Sequence, residues 1–476
     1  MRKRLWSVFI LMIMLFGVVS ASFLQKEPQK TEDAPGIFKS EKTVLNLSYT
    51  DDVMTDYLKM MSSRYMSENE DVIINLQLAD NISYLDDIYE SSIQKQEDMP
   101  DLFITTDDTL EKACLSGIAA PVPDPEKHIN EQIYPAGAIN SVMYKGGIYG
   151  YPLYYDTAVF LYNKTHLKNM ADARNEAMKD VAEAEAAMEA TDAALDGGDD
   201  PELVQTPKGD DQQTQSGSVG EITADDLIPG NFEDILTLAE EYDAPEGMES
   251  ILKWDVSDIF YNYFFIGDNI EMCGVCGDDP SKIDLCNDNA VACMEVYQAL
   301  KSFFSIDARD SDYENILNEF IEGKTLFTIV SVSSLKKIRE AAFAGQLQGE
   351  YGVATLPDLT ENLHSRPLSV TGTLVVNGLS YDQNKAHEFA EYLSENADEK
   401  FYEMTGYPAA NLLADNLTGD LGLCMTSYEK SVHLPKLMST SDFWMQLEIA
   451  MAGIWEGNDT VSTMQSLEDK IISQVR

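Results

Sequence analysis

Three short apolar segments, each followed by a helical pattern, constrain the fold most. TVLNLSY (43–49), DVIINLQLA (71–79) and DLFITT (101–106) have the composition of strands, and amphipathic helical patterns separate them. Strands joined through helices run parallel within one sheet, because each helix carries the chain back to the starting edge. The alternation of strand and helix patterns over residues 43–106 therefore predicts an α/β layer with parallel strands.

The length of the chain requires more than one such layer. A chain of 476 residues is longer than a single hydrophobic core usually supports, and a hydrophobic fraction of 44% supplies enough apolar residues for more than one core. The second half is rich in helical patterns, and it contains the strand-like segments YGVATLP and SRPLSVTGTLVVNG. We therefore expect two or more lobes.

The charge balance excludes several partners. The formal net charge is −49, from 82 acidic and 33 basic residues. Such a chain repels the phosphates of nucleic acids and the surface of anionic membranes, so neither is an expected partner. We predict a monomer with a solubilising exterior that meets a membrane only through its N-terminal segment.

The first 24 residues have the composition of an export signal. Arg2, Lys3 and Arg4 precede an uncharged apolar run, and the small residues at 19–21 fit cleavage near Ala21. The run is also long enough to stay as a membrane anchor. No cysteine follows it, which excludes a lipidated-cysteine anchor. Residues 25–40 form a polar linker, and we expect an exported protein at the outer face of the cytoplasmic membrane or secreted.

Residues 171–226 interrupt the regular patterning. This stretch is rich first in Ala, Glu and Asp, then in Gly, Asp, Gln and Ser, and it contains no aromatic residue. It cannot bury enough apolar surface to fold alone. We interpret it as an acidic low-complexity insertion with a solvated helix at about 172–195, serving either as a plain surface loop or as an adaptor for a partner.

Four of the six cysteines lie close together, as C-x2-C-x9-C-x6-C from Cys273 to Cys293. A zinc site of the CxxC type needs a second matched pair or a nearby histidine, and neither is present. In an exported protein this spacing favours one or two local disulfides over free structural thiols, with a connectivity that spacing alone leaves open.

The sequence contains none of the common enzyme motifs considered below, whereas aromatic residues beside acidic ones recur. The five histidines form no HExxH, and no GxSxG or phosphate-binding loop occurs. Tyrosine or tryptophan accompanies a carboxylate at 149–156, 254–263 and 442–444. Flat aromatic faces with hydroxyl-accepting carboxylates suit a sugar, although each segment equally fits core packing. We predict a binding protein that is not an enzyme and needs no cofactor or metal.

A series of motifs follows one order along the chain: PDLFITTDDTLEKACLSGIAAPV, GGIYGYPLYYDTAVFLYNKTHL, PGNFEDILTLA, FIEGKTLFTIVS, TGTLVVNGLS and LPKLMSTSDFWMQLEIAMAGIWEGNDTV. This order resembles the extracellular solute-binding proteins of sugar ABC importers, in particular those that bind maltose and maltodextrin. The resemblance covers about residues 41–170 and 228–476. Single motifs are loose, but their order and spacing extend over the whole chain.

The resemblance implies an α/β, two-lobed periplasmic-binding-protein-like fold with a ligand cleft between lobes joined by hinge crossings. It places residues 41–155 and 351–410 in lobe 1, and residues 156–350 and 411–476 in lobe 2. The implied function is capture of a carbohydrate, in particular an oligosaccharide, and its delivery to the permease subunits of an ABC transporter.

The resemblance also implies a set of ligand-contacting side chains. The acidic members, which would accept hydrogen bonds from sugar hydroxyls, are Asp52 or its neighbour Asp51, Asp108, Asp156 and Asp258. The aromatic members, which would stack on sugar faces, are Trp444, Tyr261 or its neighbour Phe260, Tyr154 and Tyr155. Two stacking tryptophans of the family are Thr105 and Ser333 here, and an adjacent arginine is Thr109. The resemblance therefore supports the class of solute more than maltodextrin itself.

Three other functions stay open at this stage. A surface sensor would use the same cleft to signal instead of importing. A binder of a polyamine, metal complex or peptide would keep the fold and change the ligand. A glycosidase would share the sugar-contacting groups and cleave the ligand.

Overall fold

The computed structural model describes residues 42–475, with gaps at 81, 196–220, 242–243, 245–246, 305 and 307–311. The predicted signal segment (1–24) and linker (25–40) lie outside the described residues, as does the centre of the predicted insertion. Within the described part of the chain, no helix has the length and apolar character needed to cross a bilayer.

The first three predicted strands form a parallel sheet. β1 (Thr43–Tyr49) pairs in parallel with β2 (Val72–Leu78) and with β3 (Leu102–Thr106). Helices α1 (Thr55–Glu68) and α2 (Tyr84–Ile93) make the connections between these strands. The prediction of an α/β layer with parallel strands is confirmed.

Two long antiparallel strands join the halves of the sheet. Along the sheet the order is β2, β1, β3, β12 (Leu368–Val376), β6 (Tyr151–Asn163), β10 (Thr325–Ser331) and β7 (Ser250–Lys253). β6 pairs with β12 up to Thr157, and from Ala158 it pairs with β10. β6 is therefore one continuous strand that changes partner between Thr157 and Ala158, next to Asp156.

The remaining strands are short, and they are β4 (Met143–Tyr144), β5 (Gly147–Ile148), β7 (Ser250–Lys253), β8 (Glu271–Met272), β9 (Ile283–Asp284), β11 (Tyr351–Ala354) and β13 (Val432–His433). The remaining helices are α3 (Leu110–Ser116), α4 (Pro125–His128), α5 (Ala136–Ser141), α6 (Lys164–Leu195), α7 (Phe232–Glu241), α8 (Ile259–Asn262), α9 (Asp288–Phe304), α10 (Tyr313–Ile321), α11 (Leu335–Phe343), α12 (Gln383–Glu395), α13 (Glu399–Thr405), α14 (Gly419–Lys430), α15 (Phe443–Trp455) and α16 (Thr460–Val475).

Two large groups of buried side chains form the core. One surrounds β1, β3 and α12, with members such as Leu47, Leu102 and Phe389. The other surrounds β7, β10 and α15, with members such as Trp254 and Trp455. Two cores are the arrangement that a chain of this length favours, because a single core stops growing well below 476 residues.

The edges of the predicted insertion are part of the folded structure. The helix expected at about 172–195 is present as the last part of α6, which begins earlier, at Lys164. Ala171 and Asn175 are buried, and the Asn175 side-chain amide donates to the carbonyl oxygen of Ile222 at 2.7 Å. The two ends of the stretch 171–226 therefore pack against each other.

The cysteines are free thiols, so the prediction of local disulfides is wrong. Cys273 and Cys293 lie in the second core, where they behave as small apolar side chains. The sulfur of Cys276 contacts Met143 Sδ at 3.6 Å. Cys286 is partly exposed and directs its sulfur towards the Val461 carbonyl. The four sulfurs therefore pack against different neighbours rather than against each other.

Candidate functional site

The ends of β1 and β3 open into a cavity of about 280 Å³. Parallel strands end at the same edge of a sheet, and the loops at that edge carry ligand-binding groups in open α/β folds. The charged and short hydroxyl side chains that line this cavity are Asp51, Asp86, Lys112, Thr50, Ser83, Thr105, Thr106 and Thr109. The only cationic side chain among the lining residues, that of Lys112, is paired with Asp86 at 2.8 Å.

Threonine hydroxyls gather in the turn that follows β3. The Thr105 and Thr109 hydroxyl oxygens lie 2.7 Å apart, and Thr109 also donates to the Thr106 carbonyl at 2.8 Å. Thr106 donates to Asp108 Oδ1 at 2.5 Å. Asp108 is exposed at this turn, and desolvation by the surrounding protein raises the pKa of its carboxyl. Short side chains here leave open the space that an indole would fill.

The ring of Tyr154 lines the cavity and is backed by a second tyrosine outside it. The ring of Tyr154 packs on that of Tyr407, with centroids 4.5 Å apart. The Tyr407 hydroxyl donates to Asp51 Oδ2 at 3.1 Å, and Asp51 Oδ1 accepts from the Val53 amide. Tyr407 escaped the sequence analysis. A second Gly-Tyr-Pro step at 406–408, like that at 150–152, is the one signal that pointed to it.

Asp156 lies where β6 changes partner, and its carboxylate is already bonded within the protein. Oδ2 accepts from the Ser333 hydroxyl at 2.6 Å, while Oδ1 accepts from the amides of Ser333 (3.2 Å) and Thr157 (3.0 Å). Burial raises the pKa of Asp156 to about 6, and these hydrogen bonds limit the rise. Ser333, in the turn after β10, thus holds the carboxylate at the crossing.

Two further predicted residues lie on neighbouring helices of the second half. Asp258 caps α8, accepting from the Phe260 amide at 2.8 Å, and its side chain is exposed. Trp444 begins α15 and is half-buried, with edge contacts to Tyr263 and Phe443. Helices α8 and α15 are in contact, which brings the carboxylate and the indole to one region of the surface.

Tyr261 and Tyr155 are held in the core by other tyrosines. Tyr261 is buried and stacks on Tyr313, with centroids 4.6 Å apart. Tyr155 has no exposed surface and stacks flat on Tyr428 at 4.1 Å. Alternation along β6 explains the difference from Tyr154, since successive side chains of a strand point to opposite faces.

Asp52 directly follows a residue that lines the cavity but does not line it itself. It is exposed at the start of the turn after β1, whereas its neighbour Asp51 lines the cavity. The sequence analysis named both positions, and of the two only Asp51 is among the residues that line the cavity.

A second group of contacts joins residues near 111 and 140 to residues near 276 and 436. Lys436 is fully buried, and its ammonium group donates to the carbonyls of Asn140 and Cys276. Glu111 accepts from the Met438 amide at 2.5 Å and from the Tyr144 hydroxyl at 2.9 Å. Burial lowers the pKa of Lys436, while the nearby charge of Asp107 opposes this shift.

Comparison with known protein families decides the class of the molecule. The family of bacterial extracellular solute-binding proteins matches residues 62–421, which is most of the chain. The chain is a bacterial extracellular solute-binding protein. This membership confirms the predicted family, and it confirms a binding protein rather than an enzyme. No curated protein matches the chain.

Solved structures give the architecture of this solute-binding protein. A cyclo/maltodextrin-binding protein in complex with maltotetraose is 15% identical with a TM-score of 0.65, covering 92% of this chain and 98% of its own. The maltose-binding periplasmic protein of Listeria monocytogenes, in complex with maltose, is 19% identical with a TM-score of 0.64 (91% and 97%). MalX of Streptococcus pneumoniae, in complex with maltopentaose, is 17% identical with a TM-score of 0.61 (91% and 100%). The likeness confirms the two-lobed periplasmic-binding-protein fold.

Proposed function

We propose that this solute-binding protein captures an oligosaccharide in the cleft between its lobes and delivers it to the permease of an ABC importer from outside the cytoplasmic membrane. The observation that carries the proposal is the cavity at the ends of β1 and β3, lined by threonine hydroxyls, Asp51 and the ring of Tyr154. The three solved structures compared with this protein above are complexes with maltotetraose, maltose and maltopentaose, respectively.

The chemistry of the cavity favours an uncharged sugar. Carboxylates accept hydrogen bonds from sugar hydroxyls, threonine hydroxyls both accept and donate them, and a tyrosine ring offers a flat face to the C–H groups of a sugar. An acidic sugar would meet Asp51 and Asp86, while the only lining cation, Lys112, is already paired with Asp86. The lining residues therefore oppose uronates and similar anions.

We assign ligand contacts to both lobes. Asp51, Asp108 and Tyr154 would bind from lobe 1, and Asp258 and Trp444 from lobe 2. Asp156 would act at the crossing, where closure can bring its carboxylate to the ligand. Contacts that form on both sides only when the lobes close stabilise the closed form, and the permease then recognises that form. Tyr261 and Tyr155 are left out of the proposed contacts, because their rings are buried against Tyr313 and Tyr428.

A thermal-unfolding screen tests the proposed ligand class. A ligand that binds only the folded protein raises its melting temperature by mass action. We expect a rise with neutral oligosaccharides such as maltotriose or cellotriose, and no rise with trigalacturonate, spermidine or a tripeptide. A rise with the anion or with a non-sugar alone would contradict the proposal.

Trp444→Ala tests the second lobe's part in binding. Loss of a stacking indole should weaken the affinity for the sugar found in the screen by about 1–3 kcal/mol, or roughly fivefold to 150-fold. Isothermal titration calorimetry measures this change. Phe343→Ala is the matched control, because that aromatic side chain is 97% exposed at the end of α11, and it should leave the affinity unchanged. Equal affinities for all three proteins would remove Trp444 from the site.

A further inference from the structure

A histidine and two glutamates meet at a place that shares no residue with the sugar cavity. His128 ends α4, and Glu391 and Glu395 lie one turn apart on α12. One ring nitrogen and one oxygen of each carboxylate all lie within 4.8 Å of one another, and the three side chains are partly buried. The grouping arises from the fold alone, since His128 and Glu391 are 263 positions apart in sequence.

The charges in this cluster are incompletely compensated. The His128 ring nitrogen Nδ1 contacts Glu391 Oε1 at 2.5 Å. The Glu395 carboxylate has no hydrogen bond or ion pair with any residue that the structure describes. Two carboxylates four residues apart on a helix repel each other, and burial together with Glu391 raises the pKa of Glu395.

The next side chain on the same face of α12 supplies no positive charge. His387 lies one turn before Glu391, is buried, and contacts the Tyr151 hydroxyl through Nδ1 at 3.1 Å. Burial lowers the pKa of His387 to about 4, so this ring is neutral at physiological pH. The cluster itself therefore contains two carboxylates and one imidazole, which is the ligand chemistry of a divalent transition metal.

We propose that His128, Glu391 and Glu395 form a site for a divalent cation of the zinc type. Zinc accepts imidazole nitrogen at about 2.0 Å and carboxylate oxygen at about 2.1 Å, and three protein ligands leave a fourth position for water. Ligands around such an ion lie roughly 3.4 Å apart, so small side-chain rotations suffice to close the site. The cation would replace the repulsion between the two carboxylates by attraction to both.

The position of the site indicates a structural role. A bound cation would tie α4 to α12 in the same lobe, and α4 belongs to the segment that leads through α5 into β6. Because the cation binds only the folded arrangement, it stabilises the lobe without contacting the cavity. It is neither the transported solute nor a catalytic group.

Zinc titration of the protein after treatment with a chelator tests the proposal. We expect saturable binding of one Zn²⁺ and a rise of several degrees in melting temperature. His128→Gln and Glu395→Gln should each weaken the affinity at least tenfold and abolish most of the thermal shift. Glu388→Gln is the matched control, because Glu388 is exposed on α12 outside the cluster, and it should bind like the unmodified protein.

Two further readouts keep the test decisive in a chain with six free thiols. Glu395→Gln should raise the melting temperature of the metal-free protein, since it removes the like-charge repulsion. Co²⁺ at the site should give ligand-field absorption without the thiolate-to-metal charge-transfer band that cysteine ligands produce. The proposal would be overturned by absence of Zn²⁺ binding or by a thiolate band. It would also be overturned if His128→Gln and Glu395→Gln bound Zn²⁺ as tightly as the unmodified protein.

Discussion

Asp156 combines a buried carboxylate with a position at the crossing between the two halves of the sheet. Three donors from Ser333 and Thr157 hold it, yet burial still raises its pKa from 3.8 to about 6. The folded protein therefore keeps a proton on this group at pH values where the unfolded chain releases it. The contribution of Asp156 to stability is present below pH 3.8 and is lost as the pH rises through 6.

Asp156→Asn should remove this pH dependence. The free energy of unfolding of the variant, relative to the unmodified protein, should increase between pH 4 and pH 7, and urea unfolding at several pH values measures it. Asp226→Asn is the control, because hydrogen bonds from Thr223 lower the pKa of Asp226 from 3.8, so its difference from the unmodified protein should change below pH 4 and stay nearly constant from pH 4 to pH 7. A difference between Asp156→Asn and the unmodified protein that stays constant with pH would contradict the assignment of the shift to Asp156.

At the scale of elements, the β6–β12 pairing depends on a glycine. A Cβ at Gly372 would lie 1.9 Å from a ring carbon of Tyr154, so only glycine allows this ring to lie flat against β12 beside Tyr407. The register between the two strands also shifts next to Gly372. The cavity wall therefore follows from strand geometry as much as from the tyrosines themselves.

Gly372→Ala should move the Tyr154 ring and weaken both the fold and the site. We expect a loss of about 1–3 kcal/mol in the free energy of unfolding, together with weaker sugar binding. Urea unfolding and calorimetry measure the two effects. Gly230→Ala is the control, since a Cβ there meets only an ordinary contact of 3.5 Å with Asp234. A Gly372→Ala protein with unchanged stability and affinity would show that Tyr154 does not need this position.

The sequence predicts local elements better than the site they form. Strands β1 to β3 were predictable because each is a short apolar run next to a helical pattern, whereas the role of Trp444 stays a prediction from the family resemblance. The bonds between Tyr407 and Asp51 and between Ser333 and Asp156 connect residues 356 and 177 positions apart, and no local pattern records them. A run of tyrosines likewise does not show which face of β6 packs in the core, where the ring of Tyr155 lies.

At the scale of the whole molecule, the account depends on two lobes that close around a sugar. The cavity of about 280 Å³ is lined by residues 49–154 alone, so in this arrangement only lobe 1 shapes it. The contacts assigned to Asp258 and Trp444 therefore require a movement of one lobe towards the other. That movement is the central claim, and it separates a transport receptor from a rigid binding surface.

Small-angle X-ray scattering with and without a saturating sugar from the screen tests this claim most directly. We predict that the radius of gyration falls when the sugar binds the unmodified protein. At sugar concentrations that saturate the unmodified protein but not Trp444→Ala, the variant should keep the larger value. A radius of gyration that stays the same while calorimetry shows full occupancy would contradict closure, and with it the proposed mechanism of capture.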